Sequence, residues 1–322
     1  MTIKPYKEGD VVLLFYRLPF DFHSGELPLD ILPNVYLDRN PVDLLDEIPP
    51  AEADYLVPGY HAGKVASNCC LRYDASKNEY PDLTPTDLFF ISIAALRLQK
   101  PVEIKIAGQF EVGKVNGEVK NERLFLQTSK WQPNGALRYS ADDIYVASHI
   151  AGDLIQVSER ESQREHKRIT SAIIYFSQVT CGSVKSLQLS YLGLWAALEA
   201  LFVPEAKGSK GNKLACRISY FLSQFEDRAK ISRWIKKEYK ERNKLAHGVQ
   251  DILPWQGTRD SRVQAFGKLH EIARLCILGF LSLDKSQQVM LSVKKEDLLG
   301  TKLNALKPAS GKYLEGQFMF LA

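Results

Sequence analysis

The feature that most constrains this chain is a change of pattern near residue 155. Before it, short apolar runs are interrupted by Pro and Gly; after it, apolar residues recur at intervals of three and four almost continuously to Leu283. The first pattern suits strands and turns, the second helices packed on one another. The expected fold class is therefore α+β: a mixed α/β amino-terminal domain over 1–155, an all-α antiparallel helical bundle over 156–290, and a carboxy-terminal extension, 291–322, packing on the body. A length of 322 residues allows two ordinary domains, and 45% hydrophobic with 25% charged content excludes a disordered chain.

Charge changes at the same place. Residues 1–150 hold 15 Lys/Arg against 21 Asp/Glu, whereas 151–290 hold 22 against 14. A basic second half is either a solvated lysine-rich surface or a surface that attracts polyanions, of which nucleic acid is the commonest in cytoplasm.

In the first half, the runs Val11 to Tyr16, Val35 to Leu37 and Val102 to Val112 predict strands, and the stretch from Glu118 through Leu126 predicts a partner strand. Thr84-Pro85-Thr86-Asp87 supplies a cap and first turn for a helix through Leu88 to Leu98. This half has no Gly-rich phosphate loop, no His/Cys metal spacing and no nucleophile elbow. Cys69 and Cys70 would point opposite ways on a strand, and they read as core residues, as do His23, His61 and His149. The expectation is of no metal and no cofactor.

The five cysteines (Cys69, Cys70, Cys181, Cys216 and Cys276) are odd in number and mostly lie in apolar stretches, as expected of reduced, buried thiols in a cytoplasmic protein. No basic-then-apolar segment opens the chain, and the apolar run Tyr191 to Val203 contains Glu199 and is too short to span a bilayer. Neither secretion nor membrane insertion is expected.

Five helices are predicted in the second half. The first covers Glu159 to Thr180 and stops at Gly182; the second, capped by Ser183, runs through Leu187 to Phe202 before Pro204. A loop around Lys207 and Lys210 leads to Lys213 to Phe225, a further helix begins near Asp227, and the last covers Arg259 to Leu283. Lys207, Lys210 and Lys213 either touch phosphates or simply solubilise the loop.

The fourth of these helices ends in Arg242-Asn243-Lys244-Leu245-Ala246-His247, with Gly248 placed to stop it. Asn243 and His247, four apart, lie about 40° apart around a helix, and Arg242 lies about 100° from Asn243. Arg242 and His247 can converge if the last turn loosens, if a phosphate lies across the helix end, or if a second copy completes the cleft. The guanidinium offers a planar fork for phosphate oxygens, the imidazole changes protonation near neutral pH, and the amide orients without charge. These groups suit attack by a ribose 2′-hydroxyl on its own phosphodiester, with His247 as general base or acid and Arg242 stabilising the phosphorane. The bare spacing is common; the basic, aromatic lead-in and the surrounding helices give it weight.

Two segments, Tyr191-Leu192-Gly193-Leu194-Trp195-Ala196-Ala197-Leu198-Glu199-Ala200-Leu201-Phe202 and Tyr239-Lys240-Glu241-Arg242-Asn243-Lys244-Leu245-Ala246-His247-Gly248, resemble the W-x-x-L-E-x-L-F helix and the Y-x-x-R-N-x-x-x-H-G motif of Apea-like HEPN domains. With Leu214, Arg217 and Ile218 in the intervening helix, the likeness covers roughly residues 160–285. The resemblance implies a HEPN-type bundle acting as a metal-independent endoribonuclease, homodimeric through the motif helices, in bacterial toxin, stress or antiviral (phage) defence, with a possible antitoxin or regulatory partner. The alternative is a non-catalytic RNA-binding or protein-interaction HEPN domain. By the same resemblance Arg242 and His247 would be catalytic and Asn243 would orient them, with Glu199 and Tyr239 behind them and Lys207, Lys210, Lys213, Lys240 and Lys244 on the RNA. A carboxylate in so apolar a helix needs a cation, and Arg217 or Arg242 is the expected partner of Glu199. The amino-terminal domain would sense a trigger or select substrate.

Overall fold

The computed structural model describes residues 6–18, 20–21, 26–40, 69–77, 79–100, 102, 104–112, 138–162, 167–180, 187–203, 210–223, 225–247 and 259–283. The expected strand at 118–126, the extension 291–322, and His23, His61, Cys181, Gly182, Ser183, Lys207 and Gly248 lie outside the described residues. The protein is α+β, with a five-stranded antiparallel sheet and seven helices among the described residues. They fall into two compact units that divide between Ile155 and Gln156.

In the first unit the strands are β1 (Val11–Arg17), β2 (Leu29–Leu32), β3 (Val35–Arg39), β4 (Cys69–Tyr73) and β5 (Lys105–Glu111), in the order β2-β3-β4-β1-β5. From Val11 to Phe15 every side chain of β1 is buried, which a continuous apolar run permits and an alternating one would not. It occupies a place between two neighbours, with Leu13 opposite Leu71 of β4 and Gln109 of β5. A two-residue turn, Pro33-Asn34, joins β2 to β3 and sets Leu29 against Leu37. β2 and β4 escaped the sequence reading: each is short, and the Asp30, Cys70 and Arg72 positions blur the alternation that signals a strand.

Helix α1 (Pro85–Gln99) begins where the cap was expected. The Thr84 hydroxyl accepts from the Asp87 amide while the Asp87 carboxylate accepts from the Thr84 amide, a reciprocal capping box. Helix α2 (Ala141–Ser162) corrects the expectation that continuous helix starts only at Glu159. Its start has the same chemistry, with Ser140 and Asp143 exchanging backbone hydrogen bonds, and Lys100 pairs with Asp143 at 2.6 Å. Two further corrections follow from helical phase. His149 lies on the outer arc of α2, exposed beside the Tyr145 ring at 4.6 Å between centroids, and is no core residue. Cys216, likewise expected to be buried, is exposed on a helix whose inward positions are Leu214, Ala215, Ile218 and Phe221. Cys69, Cys70 and Cys276 are buried thiols.

The second unit contains α3 (Arg168–Thr180), α4 (Leu187–Phe202), α5 (Lys210–Phe221), α6 (Arg228–Ala246) and α7 (Arg259–Leu281). The single helix expected over 159–180 is two, since α2 ends at Ser162 and α3 begins at Arg168. Helix α4 is the hub, packing on α3, α5, α6 and α7. Its Trp195 is fully buried and meets Tyr239 of α6 edge-on at 5.3 Å; Phe202, Phe221 and Phe280 bring α4, α5 and α7 together with centroids 5.2–5.5 Å apart. Gly211 lets α5 come close to α6: a Cβ there would lie 2.5 Å from Tyr239 Cδ1. No helix among the described residues is long and apolar enough to cross a membrane.

Candidate functional site

Helix α6 carries the residues singled out in the sequence, and its ends are defined chemically. Asp227 caps the start by accepting from the Lys230 amide at 2.8 Å. At the other end His247 is the C-cap, with φ −96° and ψ 7°, and its amide donates to the Asn243 carbonyl at 3.0 Å. The last turn therefore stays regular up to Ala246, and the His247 amide still closes onto the Asn243 carbonyl rather than loosening from it. Arg242 and His247 consequently remain about 140° apart around the axis. Of the three routes to convergence, a loosened turn is not the one this fold takes.

Arg242 turns into the unit. Its Nη2 lies 2.7 Å from Glu199 Oε1 on α4, its Nη1 donates to Asn243 Oδ1 at 3.2 Å, and its plane sits 5.3 Å from the Tyr239 ring centre. The Tyr239 hydroxyl donates to the same Glu199 oxygen at 3.1 Å, and Lys210 Nζ reaches Glu199 Oε2 at 3.4 Å. Glu199 thus collects three donors from α5 and α6, as a carboxylate in an apolar helix must. Arg217 is not among them: it donates instead to the Phe202 carbonyl at the end of α4. Burial first, and then the Glu199 charge, push the Tyr239 pKa up to about 12, so its hydroxyl stays protonated and remains a donor. One donor is unused. Arg242 Nε is itself shut off from solvent and makes no hydrogen bond among the described residues, although the side chain as a whole is 22% exposed.

His247 is exposed at the helix end, and Asn243, half-buried, lies between it and Arg242. Lys240 and Lys244 are exposed on the outer side of α6. Lys210, expected in the loop, belongs to α5 and is held by Glu199; Lys213 is half-buried on the same helix. The structure therefore joins Glu199, Lys210, Tyr239, Arg242 and Asn243 into one hydrogen-bonded cluster, and puts His247, Lys240 and Lys244 on the solvent side.

Sequence reasoning missed the cluster beside it. Glu238 is buried and accepts from the Tyr191 hydroxyl at 3.0 Å, with Arg262 of α7 at 3.9 Å; Arg262 also lies 3.6 Å from Glu241. Desolvation and the Glu238 charge raise the Tyr191 pKa well above the ordinary tyrosine value. Charged residues in a basic helix look solvated in a sequence, and only α7 reveals that Glu238 is buried. Among the described residues no group of three or more His, Cys, Asp or Glu side chains is gathered to hold a metal ion.

No protein-family model matches the chain, and no curated protein or solved structure is significantly similar to it.

Proposed function

We propose that the helical unit is a HEPN-like bundle and a metal-independent endoribonuclease, with Arg242 and His247 as its catalytic pair. The observation that carries this reading is the arrangement at the end of α6. A guanidinium is held by Glu199 yet is 22% exposed, an amide bonds to it, and an exposed imidazole caps the same helix. In the proposed reaction His247 takes the proton of a ribose 2′-hydroxyl, or gives one to the departing oxygen. The 2′-oxygen bonds to phosphorus, the bond to the 5′-oxygen breaks, and the products are a 2′,3′-cyclic phosphate and a 5′-hydroxyl. Arg242 stabilises the charge on the phosphorane, and Asn243 orients the guanidinium through its Oδ1.

Because Arg242 and His247 stay apart around α6, the phosphate either lies across the helix end or is shared with a second copy. The latter makes the functional form a homodimer through its motif helices. The resemblance to Apea-like HEPN domains adds a setting in bacterial stress, toxin or phage defence in the cytoplasm, with the amino-terminal unit as sensor or substrate selector and a possible antitoxin or regulatory partner. A second reading, an RNA-binding or protein-interaction domain that does not cut, draws support from the same ion pair. At 2.7 Å from Glu199, Arg242 is already satisfied in part, as a purely structural arginine would be.

The test is incubation of the full chain with total tRNA and mRNA in EDTA, followed by analysis of product ends. Cleavage leaving cyclic phosphates, reduced about 100-fold or more in both Arg242→Ala and His247→Ala, is the expected result. Intact RNA with the wild-type chain rejects the enzyme, and cleavage that survives both substitutions rejects the site.

A further inference from the structure

We infer that the outer face of α6 is a binding track for one strand of unpaired RNA, leading to His247. The proposal rests on the ribonuclease reading for the identity of its ligand. Between Arg228 and Ala246 the helix holds eight Lys/Arg and two acids, Glu238 and Glu241. The structure sorts these by face. Glu238 is buried and bonded to Tyr191, Glu241 lies between Lys244 and Arg262, and Arg242 is drawn inward by Glu199.

What remains outward is five cations and the imidazole. Arg233, Lys236, Lys237, Lys240, Lys244 and His247 are all exposed, and at about 100° per residue they fall within a sector of roughly 100° on the side opposite Arg242. Among the described residues Lys236, Lys237 and Lys240 make no ion pair; Lys244 alone of the stripe lysines has one, 2.8 Å from Glu241. Along the axis the series Arg233, Lys237, Lys240, Lys244, His247 advances three or four residues at a time, about 5–6 Å per step and about 21 Å in all. From Arg233 to Lys244 that is a single file of charges leading to the His247 ring, spaced to meet successive phosphates of one strand.

The same geometry selects the ligand. From residue 229 onward the sector holds one apolar residue, Ala229, so the face offers nothing to bury in a lipid surface, where an amphipathic helix presents large apolar side chains. One row of charges follows one backbone rather than the two of a duplex. A paired A-form strand also holds its 2′-hydroxyl out of line with the phosphate it would attack, whereas an unpaired strand can turn into line at His247. The track thus makes unpaired RNA the substrate class and phosphate contact, not base identity, the basis of binding.

The test uses the full chain at pH 8 with a fluorescent 2′-O-methyl oligouridylate of about twelve nucleotides, which binds as RNA but lacks the attacking hydroxyl. Affinity is read by anisotropy between about 50 and 200 mM salt. The wild-type logarithmic salt slope is expected near −3, about −0.7 for each phosphate engaged. Replacing Lys236, Lys237 and Lys240 together by Gln lowers affinity about tenfold or more and makes the slope shallower by about 2. The triple Lys→Arg replacement, which keeps the charge, binds as wild type. The same oligonucleotide annealed to its complement binds more weakly.

Absence of wild-type binding, unchanged binding in the triple Gln variant, or a preference for the duplex each overturns the track. The cleavage reading is separable. A wild-type chain that binds through these lysines but leaves unmodified RNA intact keeps the track and rejects the nuclease. One that cleaves while the triple Gln variant binds normally keeps the nuclease and rejects the track.

Discussion

Two arginines, one in each unit, show how burial decides what a charge is for. Arg72 on β4 donates from Nε and Nη2 to Asp10, at 2.9 and 2.6 Å, and from Nη1 to Asp38 at 3.3 Å; the Tyr6 ring lies over it at 4.4 Å. Its side chain is 4% exposed and those of the two carboxylates 0% and 7%. Burial alone would weaken its charge, yet the bonds to Asp10 and Asp38 raise its pKa above the ordinary arginine value. Every side-chain nitrogen of Arg72 has an acid partner. Arg242 has a single carboxylate partner, an amide neighbour and a buried Nε that makes no hydrogen bond among the described residues, while its side chain as a whole stands nearer solvent. The first arginine ties β3 and β4 to the residue that opens β1; the second is only partly enclosed, which is what the proposed phosphate contact needs.

The comparison breaks most readily at Arg72. Arg72→Met leaves Asp10 and Asp38 buried without their cation and is expected to cost about 3–5 kcal/mol, against about 1–2 kcal/mol for Arg242→Ala. Urea unfolding followed by hydrogen exchange in each unit measures both, and equal losses would erase the distinction. Next in size, Gly211→Ala forces a methyl against the Tyr239 ring; overpacking of about 1–3 kcal/mol outweighs the gain in helix propensity of about 1 kcal/mol. A melting temperature at or above wild type would show that the α5–α6 approach has slack.

Smaller still is Tyr239→Phe, which keeps the ring against Trp195 but removes a donor from Glu199 and costs about 1 kcal/mol near neutral pH. Its pH dependence has a definite sign. The folded state raises the Tyr239 pKa from 10.0 to about 12, favouring the protonated form. That contribution is complete below pH 10 and is lost as pH rises through about 12. The stability gap between wild type and Tyr239→Phe should therefore close between those values in thermal melts. A constant gap would remove the hydrogen bond from the account of how Arg242 is held.

What was legible in the sequence was mostly local. The capping box at Thr84 and Asp87 lies within four residues, and α1 starts where that box puts it. The apolar run of β1, the three-and-four repeats of α4 and the position of Arg242, Asn243 and His247 at the end of α6 are likewise properties of short stretches. Helix α2 was hidden because its first turn, Ala141 to Ile144, follows residues with no helical repeat, and its cap pair of Ser140 and Asp143 went unnoticed. His149 and Cys216 were placed inside by residue type, but helical phase turned both outward.

The sequence by itself determined that a basic helix would end in an arginine, an amide and an imidazole, since spacing along one helix fixes angular position. Only the tertiary structure decided that Glu199 takes Arg242 rather than Arg217, that Lys210 joins it, and that Glu238 is buried against Tyr191 with Arg262 nearby. Each choice depends on which side chains from other helices arrive within hydrogen-bond reach. A carboxylate removed from water must take the cation that packing delivers, and packing is a property of the whole unit.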